Sequence, residues 1–367
     1  MKLRYKIGGG LLALLAVAAV CLALVLSYNS PCEPAPVAAG GQETMQAVRY
    51  RCYGSTDVLR VEAVEKPEPA ADEVLVRVHA ASVNPLDWHY MRGSPYVMRL
   101  MSGFGEPADT RLGVDFACPV EAVGDAVTRF EPGDEVFGGA SGAFAEFVTV
   151  RETAAVALKP ANVSAEEAAT VSIAAITALQ ALRDKGRLEP GQKVLINGAS
   201  GGVGTFAVQI AKALGAEVTG VCSTRNVDMV RSIGADHVID YKSEDYTQSD
   251  RRYDLVVDMV GNHSPRRNLG VLEPDGILVL VGGSKGNWIG PLKGPFQAMA
   301  LSPFVGQKIE TFVARLYQED LLALAALLET QAVTPVIDRR YPLRDVASAI
   351  EYSETGRARG KIIVNVE

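Results

Sequence analysis

The feature that most restricts how this chain can fold is a glycine-rich loop between an apolar segment and an amphipathic one. Residues 193–205 read Lys-Val-Leu-Ile-Asn-Gly-Ala-Ser-Gly-Gly-Val-Gly-Thr. The Val-Leu-Ile run is typical of a buried strand, and Phe206, Ile210 and Leu214 recur at helical spacing. The pattern therefore predicts a strand, a tight glycine turn and a helix in succession.

The spacing of small residues within this loop indicates what it binds. Ala199, Gly201 and Gly204 occupy the three small-residue positions of a dinucleotide-binding fingerprint, with alanine in place of the first glycine. Gly201 lets a pyrophosphate approach the backbone, and Gly204 lets the helix pack closely on the strand. Free N–H groups at the helix start favour phosphates. The predicted pyrophosphate site comprises Ala199, Ser200, Gly201, Gly202, Val203 and Gly204.

Strands and helices alternate around this loop. Ser164 is followed three residues later by Glu167, which is typical of a capping box at a helix start. Further strand segments occur at residues 218–222, 237–240, 255–260 and 277–281, with a helical segment at 226–233. Such alternation predicts the α/β fold class, with a doubly wound parallel sheet of the Rossmann type over residues 164–332.

The residues before position 164 have the pattern of a separate, mainly β domain. The segments 46–52 and 73–79 alternate apolar and polar residues, and turn signals such as Pro132-Gly-Asp134 separate the strands. The last residues, 333–367, return to strand character. We expect a β domain over residues 45–163 and a distinct C-terminal segment over residues 333–367.

The N-terminus has the composition of a membrane anchor. Lys2, Arg4 and Lys6 precede an uncharged segment, residues 7–27, that is dominated by Leu, Ala and Val. About 20 apolar residues suffice for a helix to span a bilayer. We expect a single-pass transmembrane helix over residues 1–27, hence a membrane localisation, and then a flexible Pro/Ala/Gly-rich linker over residues 28–44. A cleaved signal peptide is the alternative, and the side of the membrane on which the body lies is left open.

Charge and cysteine content exclude several classes of function. The net charge is −7 and the body carries no long basic run, so nucleic acid is not expected as a partner. The five cysteines are scattered without a Cys-x-x-Cys spacing, which indicates neither a disulfide framework nor a zinc knuckle. We expect them to be mainly small buried hydrophobic residues.

The end of the strand after the glycine loop bears on the choice of cofactor. It reads Cys222-Ser-Thr-Arg225 and carries no acidic residue to hold a ribose 2′-hydroxyl. Hydroxyls and a guanidinium suit a 2′-phosphate instead. The sequence therefore predicts NADPH in preference to NADH. The alternative for Arg225 is an ordinary solvated residue at a helix start.

Four motifs resemble one known family. They are Asn197-Gly-Ala-Ser-Gly-Gly-Val-Gly204, Gly234-Ala-Asp-His-Val-Ile-Asp-Tyr241, Pro132-Gly-Asp-Glu-Val136 and Val83-Asn-Pro-Leu-Asp87. Together they are similar to the zinc-independent quinone oxidoreductase (zeta-crystallin-like) branch of the medium-chain dehydrogenase/reductases, over residues 45–367. The resemblance implies a GroES-like first domain, an inserted Rossmann domain, a last segment that returns to the first domain, and a homodimer. It also implies reduction of quinones, enones or related carbonyl compounds by direct hydride transfer from NAD(P)H.

The same resemblance implies roles for individual residues. Asn84 and Asp87 match the motif that lines the nicotinamide pocket, and Thr177 matches a threonine near that ring. The adenosine and its 2′-phosphate are expected at Ser223, Arg225, Tyr241 and Lys361. The ribose and the nicotinamide are expected between later strands, at Gly261, Val281, Gly282 and Gly283.

His89 stands where many quinone reductases have a tyrosine, two residues after Asp87. It is a candidate for the group that donates the proton or polarises the carbonyl. A packed ring with a single hydrogen bond is the alternative role for His89, and water is an alternative source of the proton.

Zinc is not expected. Ala81-Ser-Val-Asn84 has no thiol at the usual first ligand position, and Leu112-Gly-Val-Asp115 stands where a Gly-His-Glu motif would lie. Without a Lewis acid, conjugate reduction is favoured over reduction of a carbonyl to an alcohol. Two other functions are left open by the sequence: a membrane-tethered NADPH-binding scaffold without turnover, and an alcohol dehydrogenase-type carbonyl reductase.

Overall fold

A computed structural model describes residues 2–34, 43–283, 286–288 and 290–366. Over these residues the helices are α1 (Lys2–Ser27), α2 (Pro85–Arg92), α3 (Arg99–Ser102), α4 (Ala165–Ala168), α5 (Ser172–Leu179), α6 (Gly202–Ala213), α7 (Val227–Ser232), α8 (Pro265–Leu269), α9 (Gly290–Leu301), α10 (Gln318–Glu329) and α11 (Val346–Glu354). The strands are β1 (Thr44–Arg49), β2 (Arg60–Glu65), β3 (Glu73–Arg77), β4 (Ala80–Val83), β5 (Asp115–Val123), β6 (Glu135–Gly139), β7 (Phe147–Arg151), β8 (Val156–Leu158), β9 (Lys193–Asn197), β10 (Glu217–Cys222), β11 (His237–Asp240), β12 (Tyr253–Asp258), β13 (Leu272–Leu280), β14 (Lys308–Thr311), β15 (Ile337–Pro342) and β16 (Lys361–Asn365).

The Rossmann sheet has the predicted topology. Its six strands are parallel and follow the order β11-β10-β9-β12-β13-β14. The order reverses between β9 and β12, so their carboxyl ends, at Asn197 and Asp258, lie side by side. Such a reversal opens the crevice in which doubly wound sheets bind ligands. The doubly wound sheet is therefore confirmed, and the edge strand β14 is an addition that the sequence pattern did not predict.

The second large sheet belongs to the GroES-like domain. Its main path is β15-β16-β4-β5-β3-β7, and β6 and β8 extend it from β5. Near the end of the chain, β16 pairs antiparallel with β4, with Ile362 opposite Val83. The C-terminal segment thus returns to the first domain, and it carries Lys361 to the end of β4. The domain boundaries at residues 163 and 332 stay predictions.

Apolar packing fixes the two elements on either side of the glycine loop. Phe206 and Ile210 of α6 are fully buried in one core with Val194 and Ile196 of β9, as the helical spacing predicts. Burial of side chains of this size contributes roughly 1.5–3 kcal/mol each. Leu214 packs only partly against the same core, because α6 ends one residue before it. The loop therefore joins two firmly packed elements.

The prediction of a transmembrane helix at the N-terminus is wrong. α1 runs from Lys2 to Ser27, but within the described residues no helix is long and apolar enough to cross a membrane. The prediction rested on counting apolar residues in the sequence, whereas a span requires sufficient length and hydropathy together in one helix. The single-pass membrane anchor is therefore not supported, nor are the membrane localisation and membrane partner inferred from it.

The segment after α1 makes specific contacts with the GroES-like domain. The buried guanidinium of Arg99 donates to the Tyr28 carbonyl at 2.7 Å and to Asn29 Oδ1 at 2.8 Å. The sequence predicts a flexible linker over residues 28–44. The two hydrogen bonds hold the start of that segment, at residues 28 and 29, against the first domain. Residues 35–42 of that predicted linker lie outside the described residues.

A disulfide joins the same segment to the first domain. Cys32 pairs with Cys52, with the two Cα atoms 4.8 Å apart. This corrects the expectation that the cysteines form no disulfide. The pairing depends on the tertiary approach of two segments 20 residues apart, which sequence spacing alone does not reveal. Cys118 and Cys222 are buried, as expected, and Cys21 is exposed.

Candidate cofactor site and active site

The glycine loop has the geometry that a pyrophosphate site requires. Gly198 follows β9 with a φ of 92°, and Gly201 caps the start of α6 in an extended conformation. A Cβ added at Gly204 would lie 2.1 Å from the Gly198 carbonyl oxygen, so only glycine lets α6 pack here. A Cβ added at Gly201 would have the Gly198 oxygen as its nearest neighbour, at 3.5 Å. The side of the loop at Gly201 is therefore open to a ligand.

Asp258 organises the crevice where the strand order reverses. Its buried carboxylate accepts hydrogen bonds from Asn197 Nδ2 at 2.8 Å and from the backbone N–H groups of Val260 and Gly261 at 3.0 and 2.9 Å. Asn268 Nδ2 donates to its other oxygen at 3.0 Å. These bonds fix the turn that contains Gly261 beside the end of β9.

The predicted residues at the end of β13 lie against this same turn. The backbone N–H groups of Val281 and Gly282 donate to the Asp258 carbonyl at 2.9 and 3.1 Å. A Cβ added at Gly282 would lie 2.1 Å from the Met259 carbonyl oxygen, so a larger residue does not fit there. Gly283 follows and is exposed. The structure thus brings Gly261, Val281, Gly282 and Gly283 together at one end of the crevice.

At the other end, Asn226 connects the glycine loop to the end of β10. Asn226 is 4% exposed, and its Nδ2 donates to Ser200 Oγ at 2.9 Å and to Ser223 Oγ at 3.2 Å. Its buried Oδ1 has no hydrogen-bond partner among the described residues. An unsatisfied buried acceptor is costly, so this atom is an exception among the buried polar groups of the region. The sequence interpretation missed Asn226, although Asn three residues after a strand-end serine is a readable signal.

Cationic and aromatic side chains lie at the same edge. Arg225 is exposed and donates to the Arg357 carbonyl at 2.6 Å. This hydrogen bond links the C-terminal segment to the end of β10. Tyr241 follows β11, the neighbour of β10, and is also exposed. The structure therefore brings Ser223, Arg225 and Tyr241 to one edge of the sheet, and their role with the adenosine stays a prediction. It adds the exposed Arg357, which the sequence interpretation missed.

A buried polar cluster lies where the GroES-like domain meets the Rossmann sheet. Asp115 accepts hydrogen bonds from Ser82 Oγ at 2.7 Å, Asn84 Nδ2 at 2.9 Å and Lys361 Nζ at 3.2 Å. Lys361 Nζ also donates to Asn84 Oδ1 at 2.6 Å. We call Ser82, Asn84, Asp115 and Lys361 the Asp115 cluster. All four are buried, which makes their mutual hydrogen bonds essential.

Thr177 is linked to this cluster through α5. The backbone N–H of Ile173, in the first turn of α5, donates to Asp115 Oδ1 at 2.9 Å. One turn later, Thr177 Oγ1 donates to the Ile173 carbonyl at 2.6 Å. The sequence signal for Asp115 is a charged residue at the start of the apolar strand β5, and the motif comparison uses it only as evidence against a zinc ligand.

Lys361 joins the Asp115 cluster to the glycine loop. The resemblance implies that Lys361 lies with the adenosine and its 2′-phosphate, with Ser223 and Arg225, and that role stays a prediction. The structure puts its Nζ in the Asp115 cluster, because β16 pairs with β4 and Lys361 is the first residue of β16. This placement depends on pairing between strands almost 280 residues apart in the chain, as the separation of 277 between Lys361 and Asn84 shows.

Asp87 lies beside the cluster at the start of α2. Its carboxylate accepts from the backbone N–H of Asn84 at 2.7 Å and also from the backbone N–H of Gly113. Burial raises the pKa of Asp87 to about 7, against the lowering effect of the Asn84 hydrogen bond. Asp87 is thus a buried capping residue with a raised pKa.

His89 makes a different set of contacts from Asp87. Residues two apart on a helix do not share a face, so His89 points away from Asp87. Its Nδ1 lies 2.5 Å from the Ser94 carbonyl oxygen, which only accepts, so Nδ1 carries the hydrogen. Burial lowers the pKa of His89, and Glu354 is the charge that opposes this. In the neutral ring Nε2 is then unprotonated, which favours the packed-ring role over that of proton donor.

Comparison with known proteins agrees with these observations. A model of the alcohol dehydrogenase GroES-like domain matches residues 70–160, and a model of zinc-binding dehydrogenases matches residues 233–364. The quinone oxidoreductase of Homo sapiens is 31% identical over 338 residues, covering 89% of this chain and 99% of its own length. The 2-methylene-furan-3-one reductase of Solanum lycopersicum is 33% identical over 336 residues, covering 88% of this chain and 79% of its own length.

A solved structure has the same architecture. The quinone oxidoreductase of Escherichia coli complexed with NADPH superposes with a TM-score of 0.75 at 25% identity, covering 88% of this chain and all of that one. These matches, together with the two sheets and the glycine loop, establish the family. The chain belongs to the quinone oxidoreductase-like family of the medium-chain dehydrogenase/reductases, and it is an NAD(P)H-dependent oxidoreductase.

Proposed function

We propose that this protein uses NADPH to reduce quinones or conjugated enones by direct hydride transfer. The observation that carries the proposal is the proximity of the glycine loop to the Asp115 cluster: a Cβ added at Gly202 would lie 3.1 Å from Lys361 Cδ. A dinucleotide with its pyrophosphate at the start of α6 therefore has its nicotinamide end next to this cluster. The names of the human and tomato relatives, a quinone and an enone reductase, support the substrate class.

The residues at the adenosine end fit a 2′-phosphate. The exposed Arg225 and Arg357 adjoin at the end of β10, where their two positive charges suit a doubly charged group. Asn226 holds the hydroxyls of Ser200 and Ser223 in place at the same edge. The Escherichia coli relative was solved with NADPH, which supports the same preference. We therefore propose that NADPH is favoured over NADH.

The proposed reaction needs no zinc. Asp115, at the position of a zinc-site motif, is engaged by Ser82, Asn84, Lys361 and Ile173. Over the described residues, no group of three or more His, Cys, Asp or Glu side chains is arranged to hold a metal. Bound NADPH would supply a hydride, and the protein binds and orients it. In this proposal the proton that completes a conjugate reduction comes from water. Neutral His89 does not supply it, because its only ring hydrogen lies on Nδ1 and is donated to the Ser94 carbonyl.

Two aromatic rings at the domain junction suit a planar substrate. Tyr96, from the loop after α2, and Trp288, from the loop after β13, pack edge to face with centroids 4.6 Å apart. The Tyr96 N–H donates to the Asn287 carbonyl at 2.8 Å, which couples the two loops. Trp288 remains 43% exposed. An exposed indole in a loop that follows the nicotinamide end provides an apolar wall for a ring such as a quinone.

A scaffold without turnover is the competing function. Oxidation of NADPH by the purified protein should be followed against a panel of quinones and enones. We expect turnover with at least one member, and none with Gly201→Val, whose side chain would fill the open side of the loop while leaving the core unchanged. Tight binding of NADPH without oxidation by any member would favour the scaffold. Loss of activity on chelation, with zinc recovered in stoichiometric amount, would favour an alcohol dehydrogenase-type carbonyl reductase.

A further inference from the structure

We propose that Arg99 positions the aromatic wall of the substrate site, by tying the loop that carries Tyr96 to residues 28–32, which we call the N-terminal segment. The inference rests on the proposed function, which gives Tyr96 and Trp288 their role as that wall. Arg99 does not touch the substrate in this proposal. It acts through the ring of Tyr96, so it is a positioning residue whose effect depends on the shape of the substrate.

The guanidinium of Arg99 is buried on acceptors that are not carboxylates. Arg99 is 1% exposed and has one of the largest fully buried side chains among the described residues. Its Nη1 donates to the Tyr28 carbonyl at 2.7 Å and its Nη2 to Asn29 Oδ1 at 2.8 Å. Its Nε donates to the Gly93 carbonyl at 2.8 Å. A buried charge is costly unless hydrogen bonds compensate for it, and two of these three acceptors belong to the N-terminal segment.

The same guanidinium contacts two aromatic rings. Arg99 Cζ lies 4.3 Å from the ring centroid of Tyr53 and 4.7 Å from that of Tyr96. A cation at such a distance is attracted to the face of the ring. Tyr53 is buried, and its hydroxyl donates to the Gly103 carbonyl at 2.9 Å. Arg99 therefore connects the half-buried ring of Tyr96 to a ring that is fixed in the first domain.

The ring of Tyr96 carries this order on to Trp288. The two rings pack edge to face with centroids 4.6 Å apart. Beside them, Ser94 Oγ donates to Asn287 Oδ1 at 2.7 Å, which joins the loop after α2 to the loop after β13. Arg99, Tyr96 and Trp288 thus form one row of contacts that leads from the N-terminal segment to the exposed indole.

Two further contacts fasten the N-terminal segment to the first domain. The Ser30 N–H donates to the Gly105 carbonyl at 2.8 Å, and the disulfide joins Cys32 to Cys52. A Cβ added at Gly105 would lie 2.7 Å from Ser30 Oγ, so a glycine lets the two backbones approach. The segment precedes residue 45, where the resemblance to the family begins, and that resemblance assigns it no role.

The first measurement compares KM for a flat and a compact acceptor, phenanthrenequinone and methyl vinyl ketone. Arg99→Met removes the charge and the donors but keeps a long side chain. It should raise KM for the flat quinone by about three- to tenfold, the worth of one aromatic contact, and KM for the compact enone much less. Arg99→Lys, which keeps the charge, should recover part of the loss. Arg77→Met is the matched control, because Arg77 is a surface arginine of the same domain that pairs with Glu121, and it should change neither KM.

The second measurement follows the aromatic wall without turnover. Trp88→Phe leaves Trp288 as the only tryptophan. The buried Nε1 of Trp88 has no hydrogen-bond partner among the described residues, so this background loses no such bond. Arg99→Met should then increase the quenching of Trp288 fluorescence by acrylamide. The pair Cys32→Ala/Cys52→Ala should do the same, because it releases the N-terminal segment without altering Arg99.

The inference is overturned if folded Arg99→Met changes KM equally for the two acceptors, or for neither, since Arg99 would then have a purely structural role. If Arg99→Met does not fold, the cysteine pair decides. Unchanged quenching of Trp288 and unchanged KM for phenanthrenequinone in that variant would show that the N-terminal segment does not position the wall. If the unmodified protein reduces no quinone or enone, the proposed function fails, whereas the quenching of Trp288 still tests the role of Arg99.

Discussion

Asn226 donates a side-chain hydrogen to Ser200 Oγ at 2.9 Å, and this contact ties the strand-end segment after β10 to the glycine loop. The same amide nitrogen donates to Ser223 Oγ, so one buried side chain orients the hydroxyls of Ser200 and Ser223. Its Oδ1 is buried and has no hydrogen-bond partner among the described residues. We therefore propose that Asn226 helps to shape the cofactor site, a role that no glycine motif reveals.

Asn226→Asp should change cofactor preference. The hydroxyls of Ser200 and Ser223 can rotate to donate to a carboxylate, so the local structure should be kept. The new negative charge would repel a 2′-phosphate but would accept well from a ribose 2′-hydroxyl. We expect NADPH affinity to fall at least about tenfold relative to NADH, measured by calorimetry with both dinucleotides. An NADPH-to-NADH ratio equal to that of the unmodified protein would place the 2′-phosphate elsewhere.

Substitutions at the two fingerprint glycines should have separable effects. An alanine Cβ at Gly204 would lie 2.1 Å from the Gly198 carbonyl oxygen, so Gly204→Ala must displace the loop or the helix. We expect a lower melting temperature, corresponding to about 1–3 kcal/mol, together with weaker NADPH binding. Gly201→Ala, with its Cβ 3.5 Å from its nearest neighbour, should keep the melting temperature and lose only affinity. Equal melting temperatures for the two variants would contradict the packing role of Gly204.

Asp87 should make folding stability depend on pH in an unusual direction. The folded protein holds its proton up to a pKa of about 7, whereas the unfolded chain releases it above 3.8. Between these values the folded state binds more protons, so the free energy of unfolding should fall as pH rises from about 4 to about 7, by up to about 4 kcal/mol. Asp87→Asn cannot ionise and should remove this contribution.

Denaturant unfolding across that pH range measures the effect directly. The exposed Asp57 provides a matched control, since Asp57→Asn removes a carboxylate outside the buried cluster and should leave the slope in place. A pH profile that is identical in Asp87→Asn and the unmodified protein would show that Asp87 is already ionised in the folded state.

His89→Phe separates a packing role from acid catalysis. The substitution removes the hydrogen bond to the Ser94 carbonyl and should lower stability by about 1 kcal/mol. Turnover in the folded fraction should change only a few-fold, because the proton is proposed to come from water. His89→Gln, which keeps a donor, should recover part of the stability. A fall in turnover of about 100-fold at unchanged stability would instead establish His89 as the proton donor.

Local patterns predicted the parts of this protein that are set by local geometry. The glycine loop could be read because Gly201 and Gly204 are needed for contacts within one strand–turn–helix unit. The Asp115 cluster could not be read in this way, since it is assembled from β4, β5 and β16, and Lys361 reaches Asn84 only through the pairing of β16 with β4. The sequence interpretation therefore named Asn84 and Lys361 but assigned them to opposite ends of the cofactor.

The N-terminal region shows the converse limitation. Apolar composition over residues 7–27 predicted a membrane span, yet no described helix meets the length and hydropathy that one requires. The contacts of Arg99 with Tyr28 and Asn29, and the disulfide of Cys32 with Cys52, involve residues that no local pattern pairs. Composition identified an apolar segment but not the contacts that follow it. Those contacts depend on the fold of the first domain.

The measurement that tests the central claim most directly follows an isotope from cofactor to product. NADPH that carries deuterium at both C4 positions of the nicotinamide should be incubated with the purified protein and an enone that it turns over. Direct hydride transfer predicts one deuterium at the β-carbon of the product and a solvent-derived hydrogen at the α-carbon. Cofactor oxidation that leaves no deuterium in the product, or no oxidation with any quinone or enone, would contradict the account.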